Sequence, residues 1–463
     1  MTIEVEIPYG DETLSAALPD RAVCLSSEAK SRFPAVDDVE EEVRRALDAP
    51  LGSPRVEDLA RKGARVVIAF DDPTVMSFSP IRRVAIEELL RRLESVGVDR
   101  GDVTLICANA LHRKFREPEL ANMLGDALVR EFGERLFCHD AEDASQLVHL
   151  GQTPEGYDVE LSRYVVEADL TIYVNAAYNR GFCGGWKSVC VGLSTYRSIR
   201  HHHTPDGMSM SIHENRMHRV LDAMGRVVED RVPGKMFKVE TLLANPFQVS
   251  QVFAGSTWDT RRASLEVMGQ RYPSRRSLSG DKYDVIIYGV PNWSPYAIGA
   301  SMNPLLTLVS SGLGYLGGTA QALGRPGCTV IMVTPCPNQW DRVHHAPYPI
   351  VWDEVLPQTR DAYEIDRRYS EQFASNGPLI EKYRHEYAFH PIHAILATHP
   401  LKRMKHIGAV IVAGAESPKI VEHVGFTPVA TVEDAIVMAE KRHGADCRIA
   451  YVAQPSVPTK LLM

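Results

Sequence analysis

Residues 170–187 read LTIYVNAAYNRGFCGGWK, and this segment indicates the fold of the chain. Leu170 to Asn175 form a short apolar run, which is typical of a parallel strand that is covered on both faces. The run leads into a turn rich in glycine, and glycine lets the backbone approach a ligand closely. The turn ends at Lys187, whose amine can form a covalent bond with a ligand. We therefore expect a buried strand that delivers a lysine to a binding site.

Two earlier runs repeat this arrangement of a strand followed by a polar loop. Residues 65–70 read RVVIAF and residues 103–108 read VTLICA, and a helical pattern follows each of them. Such repetition predicts an α/β fold with parallel-rich sheets. We predict two α/β domains with the active site in the cleft between them. The first domain covers residues 1–275 and the second covers residues 276–463, and the polar segment 271–282 links them.

The composition excludes several classes of protein. The chain has 463 residues, 44% of them hydrophobic and 24% charged, with a formal net charge of −8. This charge argues against nucleic acid or an anionic membrane as a partner. No apolar run is long enough to span a bilayer, and the eight cysteines include no Cys-x-x-Cys pair. We expect a soluble, cytoplasmic protein with reduced thiols and no membrane association.

Polar side chains follow three of the predicted strands. Residues 71–74 (DDPT), 109–112 (NALH) and 175–187 stand where these strands end, and ligands of open α/β sheets bind beyond such ends. The loops offer carboxylates, a hydroxyl, the imidazole of His112 and the amine of Lys187. Each has a structural alternative: an Asp cap before the helix at Ile81, a hydrogen-bonded core histidine, and a surface lysine. Together they predict a pocket.

The run His201-His202-His203 is a candidate metal site, because imidazole is the commonest metal ligand. Adjacent helical residues point in different directions, so at most one or two of the three can face one metal. A helix start or a surface turn is the alternative interpretation of the run.

The segment 181–192 (GFCGGWKSVCVG), continued through Ser194-Thr195-Tyr196 to His203, resembles the core motif of the nickel-dependent lactate racemase family. The resemblance implies that Lys187 is bonded, as a thioamide, to a nickel-pincer nucleotide, pyridinium-3,5-bisthiocarboxylic acid mononucleotide. It implies that His203 is the nickel ligand, and two sulfurs, a carbon and an imidazole suit square-planar Ni(II). It further implies that His112 is a catalytic acid/base. The implied cofactor-binding residues are Asp72, Pro73, Thr74, Val75, Gly184, Gly185 and Lys187.

The chain departs from this family at several positions. The second catalytic histidine, the loop arginine and the arginine before the motif lysine are replaced by Ala177, Val75 and Trp186. Moreover, residues 291–296 offer no counterpart of the substrate-binding Gln and Lys pair. Tyr178 or Asn179 are candidates for the missing catalytic group, as is His202.

The resemblance implies a racemase or epimerase that removes and returns a hydride at the hydroxyl-bearing carbon of a 2-hydroxy acid or a related substrate other than lactate. The alternatives are another hydride-transfer or elimination reaction, or a non-catalytic cofactor-binding or metal-binding homologue. The implied partners are a small hydroxylated substrate and the proteins that synthesise the cofactor. A homo-oligomer is a possible assembly.

Overall fold

The computed structural model describes residues 2–26, 34–75, 77–177, 181–209, 211–212, 214–271 and 282–453. The chain divides into two compact units. The first unit comprises Ser31–Pro273 and Tyr383–Tyr387, and the second comprises Met1–Lys30, Ser274–Lys382 and Ala388–Met463. The predicted linker lies almost entirely outside the described residues. The described N-terminal residues, which the sequence placed in the first domain, belong to the second unit.

The first unit is built on a six-stranded sheet with the order β11-β10-β9-β4-β5-β6. Five strands are parallel, and β11 pairs antiparallel with β10 at one edge. All six residues of β4 are buried, as expected for a parallel strand covered on both faces. The strands of this unit, including the separate hairpin β7-β8, are β4 Val66–Asp71, β5 Val103–Ala108, β6 Leu136–Cys138, β7 Leu147–Gln152, β8 Asp158–Ser162, β9 Leu170–Ala177, β10 Met236–Asn245 and β11 Gln248–Gly255.

Helices cover this sheet and complete its hydrophobic core. The side chains of Ile86, Leu89 and Leu93 on α3 pack there against Ile68 and Leu105 of the strands. The helices are α1 Val39–Asp48, α2 Val56–Leu59, α3 Ile81–Ser95, α4 Glu117–Leu124, α5 Asp126–Phe132, α6 Arg163–Glu167, α7 Lys187–Gly192, α8 Tyr196–Ile199, α9 Arg216–Arg231 and α10 Thr257–Arg271.

The second unit contains a six-stranded sheet with the order β15-β14-β13-β12-β16-β3, in which every pairing is parallel. An antiparallel hairpin, β1-β2, packs in the core of this unit. The strands are β1 Thr2–Tyr9, β2 Glu12–Pro19, β3 Val23–Ser26, β12 Tyr283–Gly289, β13 Gly324–Val333, β14 Ile407–Ala413, β15 Thr427–Val429 and β16 Ile449–Ala453.

Helices occupy much of the segment 336–400. A twelve-residue π-helix, Leu305–Leu316, precedes them. The α-helices of the second unit are α11 Gly317–Leu323, α12 Tyr348–Ile350, α13 Ala362–Ala374, α15 Pro391–Leu396, α16 Pro418–His423 and α17 Val432–His443. Helix α14, Gly377–His385, begins in the second unit, and its residues from Tyr383 onward belong to the first.

The predicted fold class of helices with parallel-rich sheets is confirmed. Gly125, with a φ of 85°, separates α4 from α5. Among the described residues, no helix is both long enough and apolar enough to cross a membrane.

Candidate active site

Three neighbouring strands of the first unit end beside one another. The sheet order places β4 between β9 and β5, and all three run parallel. Asp71 is the last residue of β4 and is paired with Ala108, the last residue of β5. The loops that follow these strands therefore begin at one edge of the sheet, as the sequence predicts.

Asp72 and His112 form a hydrogen-bonded pair at this edge. Oδ2 of Asp72 lies 2.7 Å from Nδ1 of His112. The other oxygen, Oδ1, accepts hydrogen bonds from the backbone nitrogen of Thr74 at 2.8 Å and from its hydroxyl at 2.5 Å. Burial raises the pKa of Asp72, but the imidazole of His112 and the bonds from Thr74 outweigh burial and hold this pKa below its usual value. The carboxylate is thus ionised and orients the imidazole.

The Asp72 loop rests on a buried arginine. Arg82 of α3 is 1% exposed, and its guanidinium donates to the backbone carbonyls of Ser77, Val75 and Asp72. Pro80 is the N-cap of α3, so the alternative in which an Asp caps this helix is wrong. Val75 also packs against the hydrophobic core. Arg82 therefore supplies a positive charge beneath the loop, whereas position 75 carries no charge.

The carboxyl group of Asp71 points into the sheet edge. It accepts hydrogen bonds from the hydroxyl of Tyr173 at 3.1 Å and from the backbone nitrogen of Ala176 at 2.7 Å. Burial raises its pKa to about 6, against the lowering effect of the Arg82 charge. Asp71 thus connects the end of β4 to the end of β9, where the glycine-rich segment begins.

The loop that carries His112 is held from two sides. Ala110 has a φ of 49°, which is strained for a residue with a Cβ atom. Its nitrogen donates to the carbonyl of Gly192 at 3.0 Å, and its carbonyl accepts from the hydroxyl of Tyr383 at 3.0 Å. The same hydroxyl accepts from the nitrogen of Ala141. Tyr383 is fully buried, so these bonds fix the loop in a strained conformation.

The glycine-rich turn has a conformation that requires glycine. Gly184 and Gly185 have φ values of 86° and 56°. A Cβ atom on Gly184 would lie 2.1 Å from Oε1 of Glu240. Arg261 donates hydrogen bonds to the carbonyls of Cys183 and Gly181, the second at 2.6 Å. The turn is therefore shaped by two charged side chains that are remote in sequence.

A buried ion pair on β10 supports the start of α7. Lys238 is 1% exposed, and its Nζ donates to the carbonyl of Gly185 at 2.7 Å and to the hydroxyl of Ser188 at 2.6 Å. Its charge is balanced by Glu240 at 3.5 Å, which also accepts from the nitrogen of Gly185. Burial lowers the pKa of Lys238, and Glu240 opposes this effect. Lys238 and Glu240 thus form hydrogen bonds with the residues around Lys187.

Lys187 is the first residue of α7 and is half-buried. Its Nζ lies 4.5 Å from the centre of the Phe182 ring. Within the described parts of the chain, no carboxylate pairs with this amine. Helix α7 ends at Gly192, whose carbonyl bonds to Ala110 in the His112 loop. The six-residue helix rises about 9 Å, so the Lys187 backbone and the His112 loop stand at opposite ends of one short helix.

The three histidines have different surroundings. His201 accepts a hydrogen bond from the nitrogen of Asp158 and packs on Tyr157. His202 is fully buried, and burial, together with the charge of Lys187, lowers its pKa to about 3. Nδ1 of His202 lies 2.7 Å from Nδ1 of His203. A neutral imidazole therefore stands beside His203 and within electrostatic reach of Lys187.

The remaining predicted positions are placed as follows. Tyr178 and Asn179 lie outside the described residues. Pro73 is half-buried in the Asp72 loop. Trp186 is fully buried, packs edge-on against Trp258 and occupies the space left by Gly225. Among the described residues, no three His, Cys, Asp or Glu side chains form a metal-binding group.

The sequence interpretation missed the residues that support the site: Arg82, Lys238, Glu240, Arg261 and Tyr383. The sequence does contain a signal for Lys238 and Glu240. Residues 236–245 read MFKVETLLAN, in which Lys238 and Glu240 are the charged residues of a largely apolar strand. Charges two residues apart on a buried strand point to the same face and need a polar partner there.

The fold and the site define an α/β protein whose first unit presents a carboxylate–imidazole pair and a lysine-bearing glycine turn at one sheet edge. Residues 9–216 match the family model of the lactate racemase N-terminal domain. The match covers slightly less than half of the chain, and in this part the chain is similar to lactate racemases.

Curated relatives share part of this chain. The lactate racemase of Lactiplantibacillus plantarum is 29% identical over 265 residues, which are 55% of this chain and 59% of the relative. The lactate racemase of Thermoanaerobacterium thermosaccharolyticum is 29% identical over 204 residues, which are 43% of this chain and 46% of the relative. The matches thus span less than two thirds of either relative.

Solved structures share the fold over nearly the whole chain. The lactate racemase apoprotein from Thermoanaerobacterium thermosaccharolyticum has a TM-score of 0.69 at 20% identity, covering 97% of this chain and 98% of that one. A protein from Thermotoga maritima has a TM-score of 0.52 at 13% identity, covering 92% and 98%. At these identities the likeness concerns the fold alone.

Proposed function

We propose that this chain is a nickel-pincer-dependent racemase or epimerase acting at the hydroxyl-bearing carbon of a 2-hydroxy acid or a related substrate. The observation that carries the proposal is the hydrogen bond from Ala110 to Gly192. Through this bond, the helix that begins at Lys187 abuts the loop that presents His112. A cofactor attached at Lys187 would thus lie in the same assembly as an acid/base group at His112, in a chain whose residues 9–216 match the lactate racemase N-terminal domain.

The residues present fit the nickel-pincer nucleotide. Lys187 offers a half-buried amine that is paired with no described carboxylate. Thioamide formation would use the lone pair of this nitrogen. His203 offers an imidazole whose orientation is set by the contact with His202, as supporting residues orient metal-bound histidines elsewhere. The predicted loop of Asp72, Pro73, Thr74 and Val75 would hold the nucleotide part. When bound, this group supplies an acceptor for a hydride from the substrate carbon.

His112 would take the proton of the substrate hydroxyl and later return it. Asp72 accepts a hydrogen bond from Nδ1 when that nitrogen is protonated, which leaves Nε2 as the basic nitrogen. The buried carboxylate also stabilises the imidazolium that forms when the proton is taken. Asp72 thus acts through His112, because its two oxygens are already hydrogen-bonded, one to Thr74 and the other to His112.

The second candidate function is a reaction with an acid/base group on only one face of the substrate, and the residue at the end of β9 favours it. Ala177 stands where the family has its second catalytic histidine, and alanine cannot transfer a proton. Unless Tyr178, Asn179 or His202 replaces that histidine, hydride transfer would lead to a ketone or to elimination. The absence of the substrate-binding Gln and Lys pair also argues for a substrate other than lactate.

One experiment separates these functions. The chain is produced together with the cofactor-synthesis proteins and is supplied with single enantiomers of 2-hydroxy acids and sugar acids, deuterated at the hydroxyl-bearing carbon. A racemase returns the substrate's own deuterium, so the opposite enantiomer should appear with its label retained. A variant His112→Asn with equal nickel content should lose this activity. Accumulation of a ketone would favour the second candidate, and full loading without turnover would favour a non-catalytic homologue.

A further inference from the structure

Two cysteines stand side by side near the His112 loop. Cys107 of β5 and Cys138 of β6 are register partners in neighbouring parallel strands. Neighbouring strands lie about 4.8 Å apart, and disulfides join residues whose Cα atoms are about 4.4–6.8 Å apart. Register partners in adjacent parallel strands point to the same face of the sheet, so both side chains lie on one face. The backbone thus presents the pair at disulfide distance.

Cys138 is the reactive member of the pair. Its side chain is half-buried, whereas Cys107 is fully buried. Its sulfur accepts a hydrogen bond from the backbone nitrogen of Phe115 at 3.2 Å. The neighbouring Cys107 thiol lowers the pKa of Cys138, although burial acts to raise it. A thiolate is the nucleophilic form of cysteine, so Cys138 is the sulfur that meets an oxidant first.

The pair is coupled to the candidate active site. Phe115, whose nitrogen contacts Cys138, is three residues beyond His112. The carbonyl of Cys107 accepts hydrogen bonds from Asn109, three residues before His112, and from His139. The charge of Asp72 acts on both thiols. The Cys138 sulfur thus contacts one end of the His112 loop, and the Cys107 backbone contacts the other.

We propose that Cys107 and Cys138 are an oxidation site, at which hydrogen peroxide forms a disulfide that alters the His112 loop. The Cys138 thiolate attacks one peroxide oxygen, and the O–O bond breaks to give a sulfenic acid and, after protonation, water. The Cys107 sulfur then attacks the sulfenic sulfur, the S–O bond breaks, and a second water leaves. Two thiols are oxidised by two electrons, and one peroxide is reduced to two waters.

The consequence is a change in the anchoring of the loop. Once bonded to Cys107, the Cys138 sulfur carries no negative charge and is a poorer acceptor for the Phe115 nitrogen. We expect faster amide hydrogen exchange at Phe115 and its neighbours in the oxidised protein. Reduction by dithiothreitol restores the original exchange rates.

The test uses the reduced full-length chain without cofactor, so its outcome is independent of the proposed function. The protein is treated with hydrogen peroxide, alkylated in denaturant and digested. We expect a peptide pair joined through Cys107 and Cys138, about 2 Da lighter than the sum of its reduced parts, which dithiothreitol separates. A Cys24→Ser variant, which lacks the exposed thiol, should form the same pair. In Cys107→Ser, the oxidised Cys138 should instead remain as sulfenic or sulfinic acid.

Two results would overturn the proposal. One is the absence of the joined pair at peroxide concentrations that fully oxidise Cys24. The other is a joined pair that forms with no change in amide exchange between residues 109 and 116. Because the wild-type peptide map decides the first point, the proposal stays testable even if the Cys107→Ser variant does not fold.

Discussion

Nδ1 of His112 lies 2.7 Å from Oδ2 of Asp72, a carboxylate that is only 2% exposed. The pair joins the loops that follow two adjacent parallel strands, and no water is needed to bridge it. It fixes which ring nitrogen of His112 faces away from the sheet, and the expected acid/base role of His112 depends on that orientation.

The variant Asp72→Asn tests this pair. An amide can still accept from Thr74, but its NH2 group faces Nδ1 and favours the tautomer with the proton on Nε2. We expect the ¹⁵N spectrum of His112 to show this tautomer, with a loss of about 1–3 kcal/mol in the free energy of unfolding at neutral pH. Thr74→Val, which keeps the Asp72–His112 contact, should retain the wild-type tautomer. An unchanged His112 tautomer in Asp72→Asn would contradict the assigned role.

The Asp72 carboxylate should also make the free energy of unfolding depend on pH. Its pKa is lower in the folded protein than the ordinary 3.8, so its stabilising effect is complete above pH 3.8 and is lost as the pH falls toward the folded value. The difference in unfolding free energy between wild type and Asp72→Asn should therefore shrink below about pH 4.

The Asp71 carboxyl group should give a pH dependence of the unfolding free energy with the opposite sign. Burial raises its pKa to about 6, so the folded state binds a proton that the unfolded state has released between pH 3.8 and 6. Stability from this group is present at low pH and falls as the pH rises through that window. Relative to wild type, Asp71→Asn should gain about 1–3 kcal/mol between pH 4 and 7 in urea unfolding. Glu155→Gln, at an exposed carboxylate, should show no such gain.

Gly184→Ala tests the shape of the glycine turn. The new Cβ would lie 2.1 Å from Glu240 Oε1, at a backbone φ of 86°. We expect a loss of about 3 kcal/mol or more in unfolding free energy, because strain and steric conflict add to each other. Gly269→Ala is the matched control, since a Cβ there meets nothing within 4 Å in helix α10, and it should gain up to about 1 kcal/mol. Equal stabilities would show that the turn tolerates a side chain.

Tyr383→Phe tests the anchoring of the His112 loop. The change removes one hydroxyl that bonds to Ala110 and Ala141, and it leaves a buried carbonyl and a buried amide without that partner. We expect a loss of about 1–3 kcal/mol and faster amide exchange at residues 109–113. Tyr387→Phe is the control, because no described residue bonds to the Tyr387 hydroxyl. If both variants exchange alike, Tyr383 does not hold the loop.

Much of this site could be predicted from sequence because its chemistry-bearing residues follow strands directly. Asp72 and His112 stand in loops after apolar runs, Lys187 begins the helix that follows another such run, and parallel strands bring these segments to one edge. The supporting residues were not predictable in this way. Arg261 and Tyr383 meet the glycine turn and the His112 loop from about 80 and 270 residues away. Their partners are backbone carbonyls, which carry no sequence signal.

Trp186 shows a second reason why the site could not be fully predicted from the sequence. From the sequence, it appears as the loss of an arginine beside Lys187. In the structure its ring fills a space between Gly225 and Trp258, away from solvent. The residue before the motif lysine therefore serves packing in this chain, and only the three-dimensional structure distinguishes a packed side chain from one that faces a ligand.

The most direct test of the account is the mass of the chain after co-production with the cofactor-synthesis proteins. We predict a mass increase equal to the attached pincer nucleotide, located by peptide mapping at Lys187, together with bound nickel. His203→Ala should keep the added mass but retain less nickel, whereas Lys187→Ala should gain no mass. An unmodified Lys187 in the wild-type chain, or a Lys187→Ala variant that takes up as much nickel and cofactor as wild type, would contradict the proposed function.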